Sequence, residues 1–170
     1  MMDSIAEVLA RQLESLLIRS GQRLVTAESC TGGGLAELVT RIAGCSQWFE
    51  CGYVAYSNTA KQELLDISSA VLENYGAISE QTALAMAEGA LRHSHAHIAV
   101  SITGIAGPGG GTVDKPVGTV CFAWVNRDGL AKTARTRFQG DRLQVRAQSC
   151  LLALQGLVDI LDKQGSGIRD

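Results

Sequence analysis

Only 2 of the 170 residues are proline, and aromatic residues supply just 5% of the chain. Set beside a hydrophobic content of 46%, that scarcity excludes a proline-rich disordered chain and points to a packed core. No stretch approaches the run of about 20 apolar residues that a membrane helix needs, so no membrane partner is expected. An excess of positive charge is also missing. Fifteen basic against seventeen acidic residues leave a net charge of -2. A protein that binds nucleic acid through the phosphate backbone shows a basic excess or stripe, so no nucleic-acid partner is expected. Cys30, Cys45, Cys51, Cys121 and Cys150 include no CxxC pair, which argues against a zinc ribbon or a thioredoxin motif. In a reducing cytosol they read most simply as buried small hydrophobes. The first ten residues carry Asp3 and Glu7 and no basic stretch, so they do not read as a secretory signal. No repeat of solenoid length recurs. The expectation is a cytoplasmic single domain over residues 1–164, with a frayed tail at 165–170.

Hydrophobic periodicity orders the elements. Ile5, Val8, Leu9, Leu13, Leu16 and Leu17 recur at helical spacing, with Asp3 or Ser4 as the expected cap and Gly21 as the stop. A short β-prone segment at 23–27 precedes a helix over 32–42. The run WFECGYVAY at 48–56 reads as a strand. Short helices at 59–65 and 69–74 and a longer one from Ser79 follow. Residues 98–103 form a strand of the buried type, then a glycine-rich loop holds both prolines up to Pro116. Segments 117–126 and 131–138 predict a hairpin around Asp128-Gly129, and 141–162 predicts a long amphipathic helix. This order implies a single-domain three-layer α/β/α sandwich with a mixed sheet.

Four segments have a composition unsuited to simple packing. In TAESCTGGG at 26–34, a strand end meets a helix start, where open α/β sheets bind ligands. Ser29, Cys30 and Thr31 stand there as candidates for a nucleophile or an oxyanion hole, although a plain helix cap and turn would look the same. In YSNTAK at 56–61, Tyr56, Ser57 and Lys61 cluster where a desolvated lysine can act as a base. Ser57 or Asn58 as an ordinary cap with an exposed Lys61 is the alternative. SITGIAGPGGG at 101–111 lacks the Lys-Ser or Lys-Thr of a Walker A motif, and Pro108 with no helix after it argues against a dinucleotide fingerprint. It still permits close backbone approach to a ligand, or serves as a long turn. Arg142, in GDR at 140–142, opposes the dipole of the helix it opens, a place suited to an anion and tolerable for an exposed side chain. His93, His95 and His97 have no carboxylate or cysteine near them in sequence and are read as a solvated helix end.

Taken together, TAESCTGG at 26–33, YSNxxK at 56–61, SITGIAGPGGG at 101–111, KPVGTV at 115–120 and GDR at 140–142 resemble the CinA C-terminal domain family. The resemblance covers nearly the whole chain, and Thr103, where many relatives carry serine, is its one small departure. The larger N-terminal domain of full-length CinA proteins does not precede these motifs, so the chain resembles the stand-alone members, which are nicotinamide-nucleotide amidohydrolases. That likeness implies hydrolysis of the carboxamide of nicotinamide mononucleotide to the nicotinate nucleotide and ammonia. It implies Ser29 as nucleophile with Tyr56 and Lys61 as catalytic partners, and Arg142 at the substrate. With these go Cys30, Thr31, Gly32, Gly33, Ser57, Asn58, Thr103, Gly104 and Gly107 as expected substrate-binding positions. No metal or organic cofactor is expected. The family also implies a homo-oligomer, a dimer first, with Leu13, Leu17, Leu154 and Val158 as interface or core. A non-catalytic nucleotide-binding module linked to competence or DNA damage is the competing reading, and another amidase or β-lactamase-like hydrolase a third.

Overall fold

A computed structural model describes residues 1–167. Its architecture follows from the alternation of side chains along the strands. The sheet has five strands in the order β2-β1-β3-β4-β5. They are β1 (Leu24–Glu28), β2 (Phe49–Val54), β3 (Ile98–Gly104), β4 (Thr119–Asn126) and β5 (Ala131–Arg137). β1 pairs parallel with β2 and β3, while β3–β4 and β4–β5 are antiparallel, so the sheet is mixed.

On one face Ile98, Val100, Ile102, Val120, Phe122 and Trp124 point toward α1 (Met2–Ser20), α2 (Gly34–Thr40) and α6 (Arg142–Ser166). The other face carries the small side chains Ala27, Ala99, Cys121 and Ala123. It packs against α3 (Asn58–Leu65), α4 (Ser69–Tyr75) and α5 (Glu80–Arg92). Small residues on both partners, Ala83, Ala87 and Ala90 on α5 among them, allow that helix to sit close on the sheet. Each large core side chain contributes about 2 kcal/mol through burial. The three-layer α/β/α sandwich inferred from the sequence is therefore present, with both helical layers occupied.

Several boundaries differ from expectation for local reasons. α2 begins only at Gly34, because Gly32 and Gly33 adopt φ of 59° and 94°, left-handed values that no α-helix continues through. α1 has no side-chain cap, since Asp3 and Ser4 lie inside its first turn and the Ser4 hydroxyl donates to Met1 O at 2.6 Å. A short 3₁₀ turn, Cys45–Gln47, precedes β2, and Trp48 is buried ahead of the strand instead of opening it. α6 continues to Ser166, four residues beyond the expected end, which places Gly165 and Ser166 of the expected tail in a helix; residues 168–170 lie outside the described residues. Leu13, Leu17 and Leu154 are fully buried, and Val158 packs against the same cluster, so these positions are core where α1 meets α6.

β1 occupies the middle of the parallel part, with the chain passing first to one side of it and later to the other. Such a switch point leaves a crevice outside the carboxyl ends of the strands. Ser29, Tyr56 and Gly104 sit at or just after those three ends.

Candidate active site

Ser29 leaves the buried strand β1 and is tied at once to its neighbour, because its N–H donates to Ile102 O at 2.9 Å. The preceding carbonyl, Glu28 O, accepts from Ala55 N at 2.9 Å. These two bonds join the ends of β1, β2 and β3 and bring the segment at 55–61 beside the serine. Ser57 caps α3, accepting from Ala60 N at 3.0 Å, and the helix it starts carries Lys61 back toward β1.

Lys61 is only 1% exposed. Its Nζ donates to Ser29 Oγ at 3.1 Å and to the carbonyl of Tyr56 at 2.9 Å. Among the described residues, no carboxylate lies within ion-pair distance of that ammonium. Burial therefore pulls the lysine below its ordinary pKa, opposed only by the weaker pull of Cys30. A lysine so placed loses its proton more readily than one on the surface, and its neutral nitrogen is in hydrogen-bonding range of a hydroxyl. Ser29 itself is 7% exposed.

The turn after Ser29 is held from inside and outside. The buried Glu28 carboxylate accepts from Thr31 Oγ1 at 2.7 Å, from Leu35 N at 2.8 Å and from Ala36 N at 3.0 Å. From the other side, Arg146 Nη2 donates to Thr31 O at 3.1 Å. Gly32 and Gly34 donate back to Ser29 O and Thr31 O, both at 3.0 Å. Among the described residues, the N–H groups of Cys30, Thr31 and Gly33 have no protein acceptor. Successive free N–H groups in a turn with left-handed glycines form a concavity suited to negative charge. Cys30 is an unsuitable nucleophile here, since burial pushes its thiol up to about 11.

Arg142 opens α6 behind Asp141, whose side chain accepts from Gln144 N in a capping box. Its guanidinium spans two loops, with Nη1 on Gly107 O at 2.9 Å and Nη2 on the Tyr56 hydroxyl at 3.1 Å. The Tyr56 phenol thus faces Arg142, while its backbone carbonyl faces Lys61. Its ring is 57% exposed.

The sequence candidates accordingly divide. Ser29, Lys61, Tyr56 and Arg142 are joined by hydrogen bonds, Lys61 to Ser29 and Tyr56, and Arg142 to Tyr56 and Gly107, with the Cys30–Gly33 turn following Ser29 directly. The Thr31 hydroxyl donates to Glu28, which leaves its N–H as its free polar group. The Thr103 hydroxyl, 1% exposed, donates to Ala77 O at 2.7 Å and braces the loop before α5. Gly104 is set by packing, since a Cβ there would lie 2.8 Å from Val120 and 2.9 Å from Thr119 O. Asn58 is exposed in the first turn of α3. The three histidines lie at the opposite end of the sheet. Among the described residues, no cluster of three His, Cys, Asp or Glu side chains is placed to hold a metal ion.

Sequence reasoning passed over Glu28 and Arg146. Arg146 had a readable signal, since it follows Arg142 by four positions on α6 and so shares its face. It also walls a cavity of about 220 Å3 with Thr31 and Gly34, next to the turn but not reaching Ser29.

The chain is similar to a group of named proteins over almost its whole length. The family model for the CinA C-terminal domain matches residues 6–161. Nicotinamide-nucleotide amidohydrolase PncC of Escherichia coli (strain K12) is 48% identical over 157 residues, covering 92% of this chain and 95% of that protein. The protein of the same name from Pseudomonas putida is 45% identical over 159 residues, covering 94% and 98%. Among solved structures, competence/damage inducible protein CihA from Agrobacterium tumefaciens superposes with a TM-score of 0.90 at 42% identity, covering 93% of this chain and 96% of that one.

Proposed function

The chain belongs to the CinA C-terminal domain family, and on that premise we propose that it is a nicotinamide-nucleotide amidohydrolase with Ser29 as nucleophile and Lys61 as base. It hydrolyses the carboxamide of nicotinamide mononucleotide to the nicotinate nucleotide and ammonia, a reading supported by relatives named nicotinamide-nucleotide amidohydrolase. The observation that carries the residue assignment is the bond from a buried, carboxylate-free lysine to the serine hydroxyl.

An amide is a poor electrophile, so attack needs both a deprotonated hydroxyl and donors for the developing oxyanion. Neutral Lys61 takes the Ser29 proton as Oγ bonds to the carboxamide carbon. The free N–H groups of Cys30 and Thr31 receive the oxyanion. As the tetrahedral species collapses, the carbon–nitrogen bond breaks and Lys61 returns its proton to the departing ammonia, leaving an ester on Ser29. Water then attacks that ester. Lys61 takes the water's proton and passes it to Ser29 Oγ as the ester bond breaks, releasing the carboxylic acid product. The Tyr56 carbonyl keeps Nζ aimed at Oγ throughout. The Tyr56 phenol, bonded to Arg142, shapes the mouth of the crevice. Arg142 and the loop around Gly107 lie on the side open to the rest of the nucleotide, where charge-assisted bonds to its phosphate would form. All five cysteines are free thiols, which supports a reducing, cytoplasmic setting.

Ammonia release from nicotinamide mononucleotide, measured beside the phosphate-free riboside, tests this reading. Turnover of the nucleotide with at least tenfold weaker turnover of the riboside is expected, since losing one charge-assisted contact costs about 1.5–3 kcal/mol. A folded protein that binds the nucleotide and releases no ammonia would overturn it in favour of a binding module. Equal turnover of the riboside would remove the phosphate from the specificity.

A further inference from the structure

Glu28 is fully buried, and nothing in the hydrolysis above uses it. Its three hydrogen bonds go to the Thr31 hydroxyl and to the N–H groups of Leu35 and Ala36. A carboxylate capping a seven-residue helix explains the two backbone bonds. It does not explain the third, which reaches out of the helix to the side chain next to the free N–H groups. The Thr31 hydroxyl has its proton committed to the Glu28 carboxylate. The backbone of the same turn bends through two left-handed glycines, Gly32 and Gly33, a segment with little stiffness of its own. Without the Thr31–Glu28 bond, the turn would be held by Arg146 on Thr31 O and by two backbone bonds closing on Ser29 O and Thr31 O.

We propose that Glu28 is a positioning residue for amide hydrolysis, acting through the Thr31 hydroxyl to hold the Cys30 and Thr31 N–H groups where the oxyanion forms. This rests on the nucleophile and oxyanion assignment above. Donors stabilise a transition state only when fixed beforehand, and a displacement of about 1 Å costs on the order of 100-fold in rate. The effect falls on kcat, because those N–H groups bind the oxyanion and not the ground-state amide.

Thr31→Val keeps the shape of the side chain and deletes only the hydroxyl, and Thr31→Ser restores it. Glu28→Gln weakens the other partner but places an amide where Ala36 N–H donates, so it is the less clean variant. Two readouts are used on protein shown by thermal melting to be folded: kcat and KM for nicotinamide mononucleotide, and the rate at which a fluorophosphonate labels Ser29. In the labelling step Ser29 Oγ bonds to phosphorus, fluoride leaves with its electron pair, and Lys61 takes the hydroxyl proton, so the same N–H groups face the phosphoryl oxygen. For Thr31→Val, kcat and the labelling rate both fall about 10- to 100-fold with KM within about threefold, and Thr31→Ser recovers them. Unchanged kcat and labelling in folded Thr31→Val would overturn the proposal, as would a loss that Thr31→Ser fails to restore. If the nucleotide is not a substrate at all, labelling alone decides the positioning role, so the two readings fail separately.

Discussion

The two ends of the sheet differ in which polar groups they leave without a partner. At the amino end of β3, Arg127 satisfies three carbonyls, with Nε on Ala96 O at 2.7 Å and Nη2 on Leu91 O at 2.7 Å and Ser94 O at 2.9 Å. There, His97 Nδ1 accepts from Arg23 N at 2.9 Å and His93 Nε2 meets Asp66 at 2.6 Å. Arg127, His97 and His93 each find a partner within the chain, while Gln22 Oε1 and Trp48 Nε1 are buried at this end without one. At the carboxyl end, among the described residues, a buried lysine has no carboxylate partner, three N–H groups of one turn have no acceptor in another residue, and a serine hydroxyl is the lysine's target. Satisfied polar groups add stability, whereas unsatisfied ones cost it and persist where a reaction uses them. Motif-rich sequence occurs at both ends, and the kind of group left unpaired, an amine beside a hydroxyl and a turn's N–H groups, separates them.

Lys61→Met breaks that contrast most strongly. Removing the base should lower kcat by about 10⁴-fold, since members of a nucleophile–base pair act as a unit. The same change should raise stability by about 1 kcal/mol at neutral pH, because an unpaired buried ammonium is replaced by an apolar side chain of similar length. Activity assay and urea titration of one sample check both. Arg127→Ala is the mirror case: about 2 kcal/mol of stability lost with kcat unchanged, seen as a lower midpoint and an unaltered rate.

The pH dependence sharpens the comparison further. Burial lowers the folded-state pKa of Lys61, so the folded state binds fewer protons than the unfolded state between that value and the ordinary lysine range. Wild-type stability therefore rises with pH across this window, and the advantage of Lys61→Met narrows as pH climbs through it. Over the same window kcat/KM rises as the neutral amine forms and levels off before the ordinary lysine pKa of about 10.4 is reached. Tyr56→Phe carries the smallest effect. It deletes one hydrogen bond to Arg142 and should lower kcat/KM by about three- to tenfold. A loss as large as that of Lys61→Met would instead make the phenol the base.

Much of this was legible in the sequence because the signals were local. The near-continuous apolar run at 98–103 and the hairpin signal over 117–126 and 131–138 marked the strands, and the Asp128-Gly129 turn forms with Asn126 Oδ1 accepting from Asp128 N and Leu130 N. Ser29, Lys61 and Arg142 stood out as reactive or charged groups at element boundaries. What escaped depended on three dimensions. Whether Lys61 was a surface residue or a buried base turned on the way α3 packs, 32 residues from Ser29 in sequence. Thr103 and Gly104 were expected at the substrate from the family resemblance, and as the last residues of β3 they are engaged by Ala77, Thr119 and Val120. Glu28 was hidden in a motif whose serine drew attention, and its role shows only when its three partners are counted.

Ammonia release by Ser29→Ala, beside wild type and Cys30→Ala, tests the central assignment most directly. The account predicts prompt release from nicotinamide mononucleotide by wild type, activity in Cys30→Ala reduced only modestly, and a loss of about 10⁴-fold or more in Ser29→Ala with an unchanged melting temperature. Release that survives in Ser29→Ala and disappears in Cys30→Ala would contradict it and move the nucleophile to the neighbouring thiol.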